Sequence, residues 1–175
     1  MTNPTEEKDF MEEITLKNCM KFAVATEEAG AKFYNQLAEN FSDNKEIHDL
    51  FTQLSKDEVV HQKQFSNLLD KVGEDVKVGK GESGYDFIKA MSVSDYFDTE
   101  QGPFKDVDKV KDREEALSHA FELEKATLGF YNAVKAVLGD NDTLNSVIQA
   151  EQNHITTIMK VMVTEGKFRS LEDKW

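Results

Sequence analysis

The chain holds a single cysteine, two prolines and one tryptophan in 175 residues. One cysteine, Cys19, excludes an internal disulfide and any Cys-x-x-Cys pair for redox chemistry or zinc. It is expected to be a small packing residue. No stretch approaches the roughly 18 apolar residues that a membrane span requires, so no membrane partner is expected. The opening segment MTNPTEEKDF lacks a basic region followed by an apolar run. It gives no sign of a secretory leader, and a cytoplasmic protein is expected. Positive charge is also scarce: 21 Lys and Arg stand against 34 Asp and Glu, a formal net charge of −13. There is no Lys/Arg stripe to neutralise phosphates, which excludes nucleic acid as a partner. Such a field attracts cations, although its first consequence is solubility.

What is present is helical pattern. The length fits one domain able to bury a core without disulfides or structural metal. Apolar residues at spacings of three, four and seven mark four amphipathic segments. The first runs from about Asp9 to Asn40 on Leu16, Met20, Ala23, Ala31, Tyr34, Leu37, Ala38 and Phe41. The second runs from about Asn44 to Val72, the third from about Arg113 to Leu138 and the fourth from about Thr143 to Glu165. Asp9…Glu12, Asp43…Glu46 and Asp112…Glu115 have capping-box-like spacing. Gly139 and Gly166 stand where helices three and four should end. The short stretches FSDN (41–44) and LGDND (138–142) make the helices they join antiparallel neighbours. Residues 73–111 are too long for a plain connection, and begin with GEDVKVGKGESG, which holds four glycines. YDFIKAM (85–91) within them could form a short helix. The expected architecture is an all-α four-helix bundle: helix pairs at about 9–72 and 112–165 joined by a long crossover at about 73–111.

Each stripe is broken by an acid where the period asks for a hydrophobe. Glu27 lies midway between Met20 and Tyr34, and Glu124 midway between Leu117 and Tyr131. Glu58 and His61 share a face with Leu54 and Phe65; Glu151 and His154 share one with Val147 and Ile158. A buried carboxylate must be paired, protonated or bound to metal. No Lys or Arg occupies these stripes near the acids. The element is also duplicated. EEAGAKFY (27–34) and EKATLGFY (124–131) share Glu, then Phe-Tyr seven residues on, and a Glu-x-x-His follows each. Glu58 lies 31 residues after Glu27, and Glu151 lies 27 after Glu124. The first pair therefore sits at one height about the loop, whereas the second asks for an earlier end to helix three. One Glu from each of two helices and Glu-x-x-His from each of the others is the pattern of carboxylate-bridged dinuclear sites. Four carboxylates balance two divalent ions. Carboxylate and imidazole donors suit iron or manganese, and the absence of thiolates argues against copper(I) or structural zinc.

These six residues, the KFY and GFY repeats and the long crossover resemble the rubrerythrin branch of the ferritin-like superfamily. The resemblance implies a ferritin-like bundle with a non-haem pair of iron ions (Fe/Fe, with Mn/Fe as the alternative). It implies Glu27, Glu58, His61, Glu124, Glu151 and His154 as ligands, acting in catalysis through the metals. Tyr34 and Tyr131 would hydrogen-bond ligand carboxylates. Hydrogen peroxide, or dioxygen, is the implied oxidant. The sequence departs from full-length members in two ways. One cysteine cannot build their four-cysteine rubredoxin module, so a separate donor such as a rubredoxin-like protein is expected. Their additional glutamate has no counterpart at Ala120, Phe121, Thr127 or Leu128, nor at Ala23, Val24, Gly30 or Ala31. A ferroxidase, iron-storage or iron-delivery protein and a metal-free helical interaction module are the competing functions, and a homodimer is an open assembly. His48, His119, Glu28 and Glu122 are expected at the surface.

Overall fold

The computed structural model describes residues 14–72, 77–78, 85–86, 88, 104 and 106–172, the stretch 165–172 by backbone alone. Four helices dominate: α1 (Leu16–Asn40), α2 (Lys45–Lys71), α3 (Arg113–Leu138) and α4 (Asp142–Glu172). A 3₁₀ turn, Val107–Lys109, precedes α3. The described residues contain no strand, only an isolated bridge between Thr15 and Lys77. The fold is an all-α four-helix bundle.

Each helix starts on a side chain that satisfies an otherwise free backbone N–H. Thr15 Oγ1 accepts from Asn18 N at 3.2 Å, and Asn44 Oδ1 from Ile47 N at 3.3 Å. Asp112 Oδ1 accepts from Glu115 N at 2.8 Å, and Asn141 Oδ1 from Leu144 N at 3.1 Å. Two expected starts are thereby corrected. Thr15 is extended (φ −115, ψ 154), so α1 begins at Leu16 rather than near Asp9; the Asp9…Glu12 pair lies outside the described residues. The cap of α2 is Asn44, not Asp43, because the extended backbone and the first accepting carbonyl both belong to Asn44.

Helix ends divide in the same way. Gly139 takes φ 82 and closes α3 as expected, its N–H reaching Lys135 O. Gly166 does not end α4, which runs on to Glu172. A glycine inside a helix costs only about 1 kcal/mol. It stops the helix only where the chain turns into positive φ, which Gly139 alone does among the described glycines. The expected early end of α3 is also absent, since the helix reaches Leu138. Glu124 lies 14 residues before Leu138 and Glu151 lies 9 after Asp142, an axial offset of about 7–8 Å.

The core is split in two. One cluster, with Phe33, Tyr34, Leu37, Phe51, Leu117 and Ile158, fills the end of the bundle nearest the α1–α2 turn. The other, with Met20, Phe65, Phe130, Tyr131, Leu144 and Val147, fills the opposite end. The crossover is tied at both ends: Val78 N donates to Ile14 O at 2.8 Å, and Asn40 Nδ2 donates to Val107 O and Val110 O at 2.7 and 3.0 Å. These described ends lie at opposite ends of the bundle, so α3 runs parallel to α2. Tyr85, Asp86 and Ile88 are helical, in keeping with the short helix expected there. Replacing Asp112 by Ala removes the cap of α3 and should cost about 1 kcal/mol in urea unfolding. A loss below a few tenths would show that the cap is dispensable.

Candidate metal centre

Between the two apolar clusters lies a polar layer. Glu27, Glu58, Glu124 and Glu151 are all at most 4% exposed, and His61 and His154 are 4% and 6% exposed. All six expected residues converge there, two helices supplying one glutamate each and two supplying the Glu-x-x-His face. His61 Nδ1 lies 3.1 Å from Glu58 Oε2, 3.1 Å from Glu151 Oε1 and 3.7 Å from Glu27 Oε2. His154 Nδ1 lies 3.4 Å from Glu124 Oε2, 3.7 Å from Glu58 Oε1 and 3.8 Å from Glu151 Oε2. The imidazoles lie face to face, 5.5 Å apart. Two four-residue groups result, each offering donor atoms within 4.8 Å of one another: Glu27, Glu58, His61 and Glu151, and Glu58, Glu124, Glu151 and His154. Glu58 and Glu151 belong to both.

The surroundings hold these carboxylates in place. Tyr34 on α1 donates to Glu124 Oε1 on α3 at 2.5 Å, and Tyr131 on α3 donates to Glu27 Oε1 on α1. The two phenols thus cross-link the halves of the duplicated sequence. Gly30 packs against the Glu58 side chain, where a Cβ would make ordinary contact with Glu58 Cγ at 3.5 Å. Two contacts were not read from the sequence. Thr127 Oγ1 donates to Glu151 Oε2 at 3.2 Å, and Asp57 Oδ2 stands 3.4 Å from His154 Nε2. Thr127 carries a helical signal, one turn beyond Glu124 on the same face. Asp57 precedes Glu58 and reads as surface from periodicity alone. His48 and His119 are half-buried rather than exposed, because His48 Nδ1 pairs with Ala38 O at 2.9 Å and His119 Nδ1 is enclosed. Glu28 and Glu122 are exposed, and Cys19 is buried in the core.

The electrostatics fit a cation. No Lys or Arg pairs with the four glutamates among the described residues. At an effective dielectric of about 20, two ionised carboxylates about 4 Å apart repel by about 4 kcal/mol. Burial first, and the neighbouring carboxylates next, push Glu58 and Glu151 well above the usual carboxylate range. Burial also works to raise Glu124, but hydrogen bonds from Glu151, His154 and Tyr34 outweigh it and hold Glu124 below its ordinary value. Burial opposes charge on His154, yet Glu124 and Asp57 raise it overall. Burial, then Glu124 and Glu27 respectively, keep Tyr34 and Tyr131 well above their ordinary values, so both remain donors. Buried Glu151 Oε1 is left without a hydrogen-bond partner among the described residues. Such an oxygen, in a ring of carboxylates and imidazoles without thiolates, suits a pair of hard or borderline divalent ions.

A bundle with a long crossover and a central carboxylate–histidine layer defines the ferritin-like class of helical proteins. Its fold matches the crystal structure of a protein described as a ferritin-like diiron-carboxylate protein from Thermotoga maritima, with a TM-score of 0.66. The two share 23% identity, over 85% of this chain and 94% of that one. No curated protein matches the sequence. The rubrerythrin family model matches residues 18–162, most of the chain and all six central residues. The chain belongs to the rubrerythrin family. No helix among the described residues is long and apolar enough to cross a membrane.

The raised carboxyls set a pH dependence for the metal-free protein. An unfolded Glu releases its proton near pH 4.3, so above that the folded chain holds protons at Glu58 and Glu151 that the unfolded chain has lost. Stability contributed by these groups is complete below about pH 4 and falls as pH rises toward their folded values. Glu124, shifted the other way, contributes stability that is present above its unfolded value and is lost only as pH falls below it. Thermal unfolding of chelated protein should therefore show a midpoint that declines from about pH 5 upward. The decline should flatten in the Glu58→Gln/Glu151→Gln double variant. An equally steep decline in that variant would assign it to surface repulsion instead.

Proposed function

We propose that this chain is a rubrerythrin-type non-haem di-iron oxidoreductase that reduces hydrogen peroxide, or dioxygen, with electrons from a separate donor. One observation carries the proposal: four buried glutamates and two buried histidines form two donor groups that share Glu58 and Glu151, with no Lys or Arg among the described residues paired with them. In this assignment Glu58 and Glu151, common to both donor groups, would be the ligands shared by two ions. Glu27 with His61 completes one ion's set, and Glu124 with His154 the other's. An iron pair bound there supplies Lewis acidity and two electrons. Glu58 and Glu151 would hold the ions as deprotonated carboxylates, since ligands must be deprotonated to coordinate. Tyr131 and Tyr34 hold the terminal carboxylates of Glu27 and Glu124 in fixed orientation, and donate as phenols throughout. Thr127 steadies Glu151 where a further acid would add charge. The apolar clusters on both sides keep bulk water from the layer.

Reduction of one peroxide to two waters consumes two electrons and two protons. Cys19 is the only thiol, and no thiolate cluster can form within this sequence, so the electrons come from outside. The acidic surface, with a net charge of −13, favours the iron-handling function as the second reading, iron being substrate there. The two differ in stoichiometry and oxidant. Anaerobic ferrous protein should bind two irons per chain and be fully reoxidised by one equivalent of peroxide, far faster than free ferrous ion. Uptake continuing past two irons per chain would favour storage. Reoxidation no faster than in free solution would remove the peroxidase assignment, and a chain that retains no metal would leave a helical interaction module.

A further inference from the structure

Resting on the dinuclear assignment above, we propose that Asp57 is a positioning residue for His154, and that it makes the two metal positions unequal. Three observations lead there. Asp57 Oδ2 faces His154 Nε2 at 3.4 Å, while His154 Nδ1 is turned toward Glu124, Glu58 and Glu151. The Asp57 carboxylate is itself oriented, because Gln53 Nε2, one turn earlier on α2, donates to its other oxygen at 2.8 Å. The duplicated element is not symmetric at this place: KDEVVH (56–61) has Asp57 before Glu58, whereas QAEQNH (149–154) has Ala150 before Glu151.

A neutral imidazole carries its proton on one nitrogen, and the other is left with the lone pair that can bind an ion. A carboxylate at Nε2 keeps the proton there, so Nδ1 is presented unprotonated to the group Glu58, Glu124, Glu151 and His154. Asp57 also raises the basicity of the ring toward an ion. Alanine at position 150 cannot do the same for His61, and among the described residues no carboxylate stands at His61 Nε2. The ion held by His154 is therefore the tighter of the two and enters first. Asp57 is about one-third exposed, which places it at the solvent edge of an otherwise sealed layer.

Anaerobic titration of the metal-free protein with Co²⁺, followed by calorimetry and by the visible absorption of the bound ion, tests this. The wild-type chain should bind two ions with distinct affinities. Asp57→Ala should weaken one ion by about 10–100-fold and leave the other unchanged. Asp57→Asn, whose amide oxygen still accepts the Nε2 proton, should stay within a few-fold of wild type. With Zn²⁺ as a diamagnetic probe, the His154 Nε2–H resonance should be visible in wild type and Asp57→Asn and lost to exchange in Asp57→Ala. Equal binding of both ions by Asp57→Ala and wild type would overturn the proposal. So would equal weakening of both ions, or loss in Asp57→Asn as large as in Asp57→Ala, which would point to charge rather than proton placement. A wild-type chain that binds fewer than two ions would instead overturn the dinuclear assignment on which this rests.

Discussion

Four glutamates stand in the buried centre of a helical bundle, and no lysine or arginine among the described residues meets them. An unpaired buried carboxylate is among the costliest things a protein interior can contain. The rest of the structure is arranged around that cost. Tyr34 and Tyr131 each reach across from one helix pair to the other to hold a carboxylate, so the hydrogen bonds that satisfy the acids also tie the two halves together. The apolar residues above and below the layer form two clusters instead of one. Without a cation, the chain meets the cost by keeping protons on Glu58 and Glu151, the two residues common to both donor groups.

This arrangement joins stability and proposed function in one place. Residues that hold a proton in the metal-free chain are those that would bridge two ions in the loaded one. Affinity for metal then depends on pH through the same groups that set the stability of the bundle. The two-fold repetition of the sequence explains why the donor groups resemble one another. Departures from it, Thr127 opposite Gly30 and Asp57 opposite Ala150, are where the surroundings of the two donor groups differ.

The bundle was legible because its signals are local and repeated. Heptad-spaced residues such as Met20, Glu27 and Tyr34 declare their common face without any tertiary information. The six central residues were legible for the same reason: each is an acid or histidine at a position where the period demands a hydrophobe. Boundaries were less so. Asp43 and Asn44 are both competent caps, and only the backbone dihedrals decide between them. Gly166 has the composition of a terminator but lacks the positive φ that would make it one. The end of α3 at Leu138 was not legible either, because the heights of Glu124 and Glu151 are matched across two helices and not within one. Asp57 escaped notice because its partner, His154, is 97 residues away, and its own periodicity marks it as half-exposed surface. The hydrogen bonds of Tyr34 and Tyr131 followed from family resemblance; their crossed pattern between helix pairs came only from the fold.

The central claim is that the buried layer holds two ions bridged by shared carboxylates. X-ray absorption at the iron edge of loaded protein, with metal content measured on the same sample, tests it most directly. Two irons per chain, a first shell of oxygen and nitrogen alone, and an iron–iron vector of roughly 3.5–4 Å are expected. One iron per chain, or two without a metal–metal vector in that range, would contradict the shared role of Glu58 and Glu151.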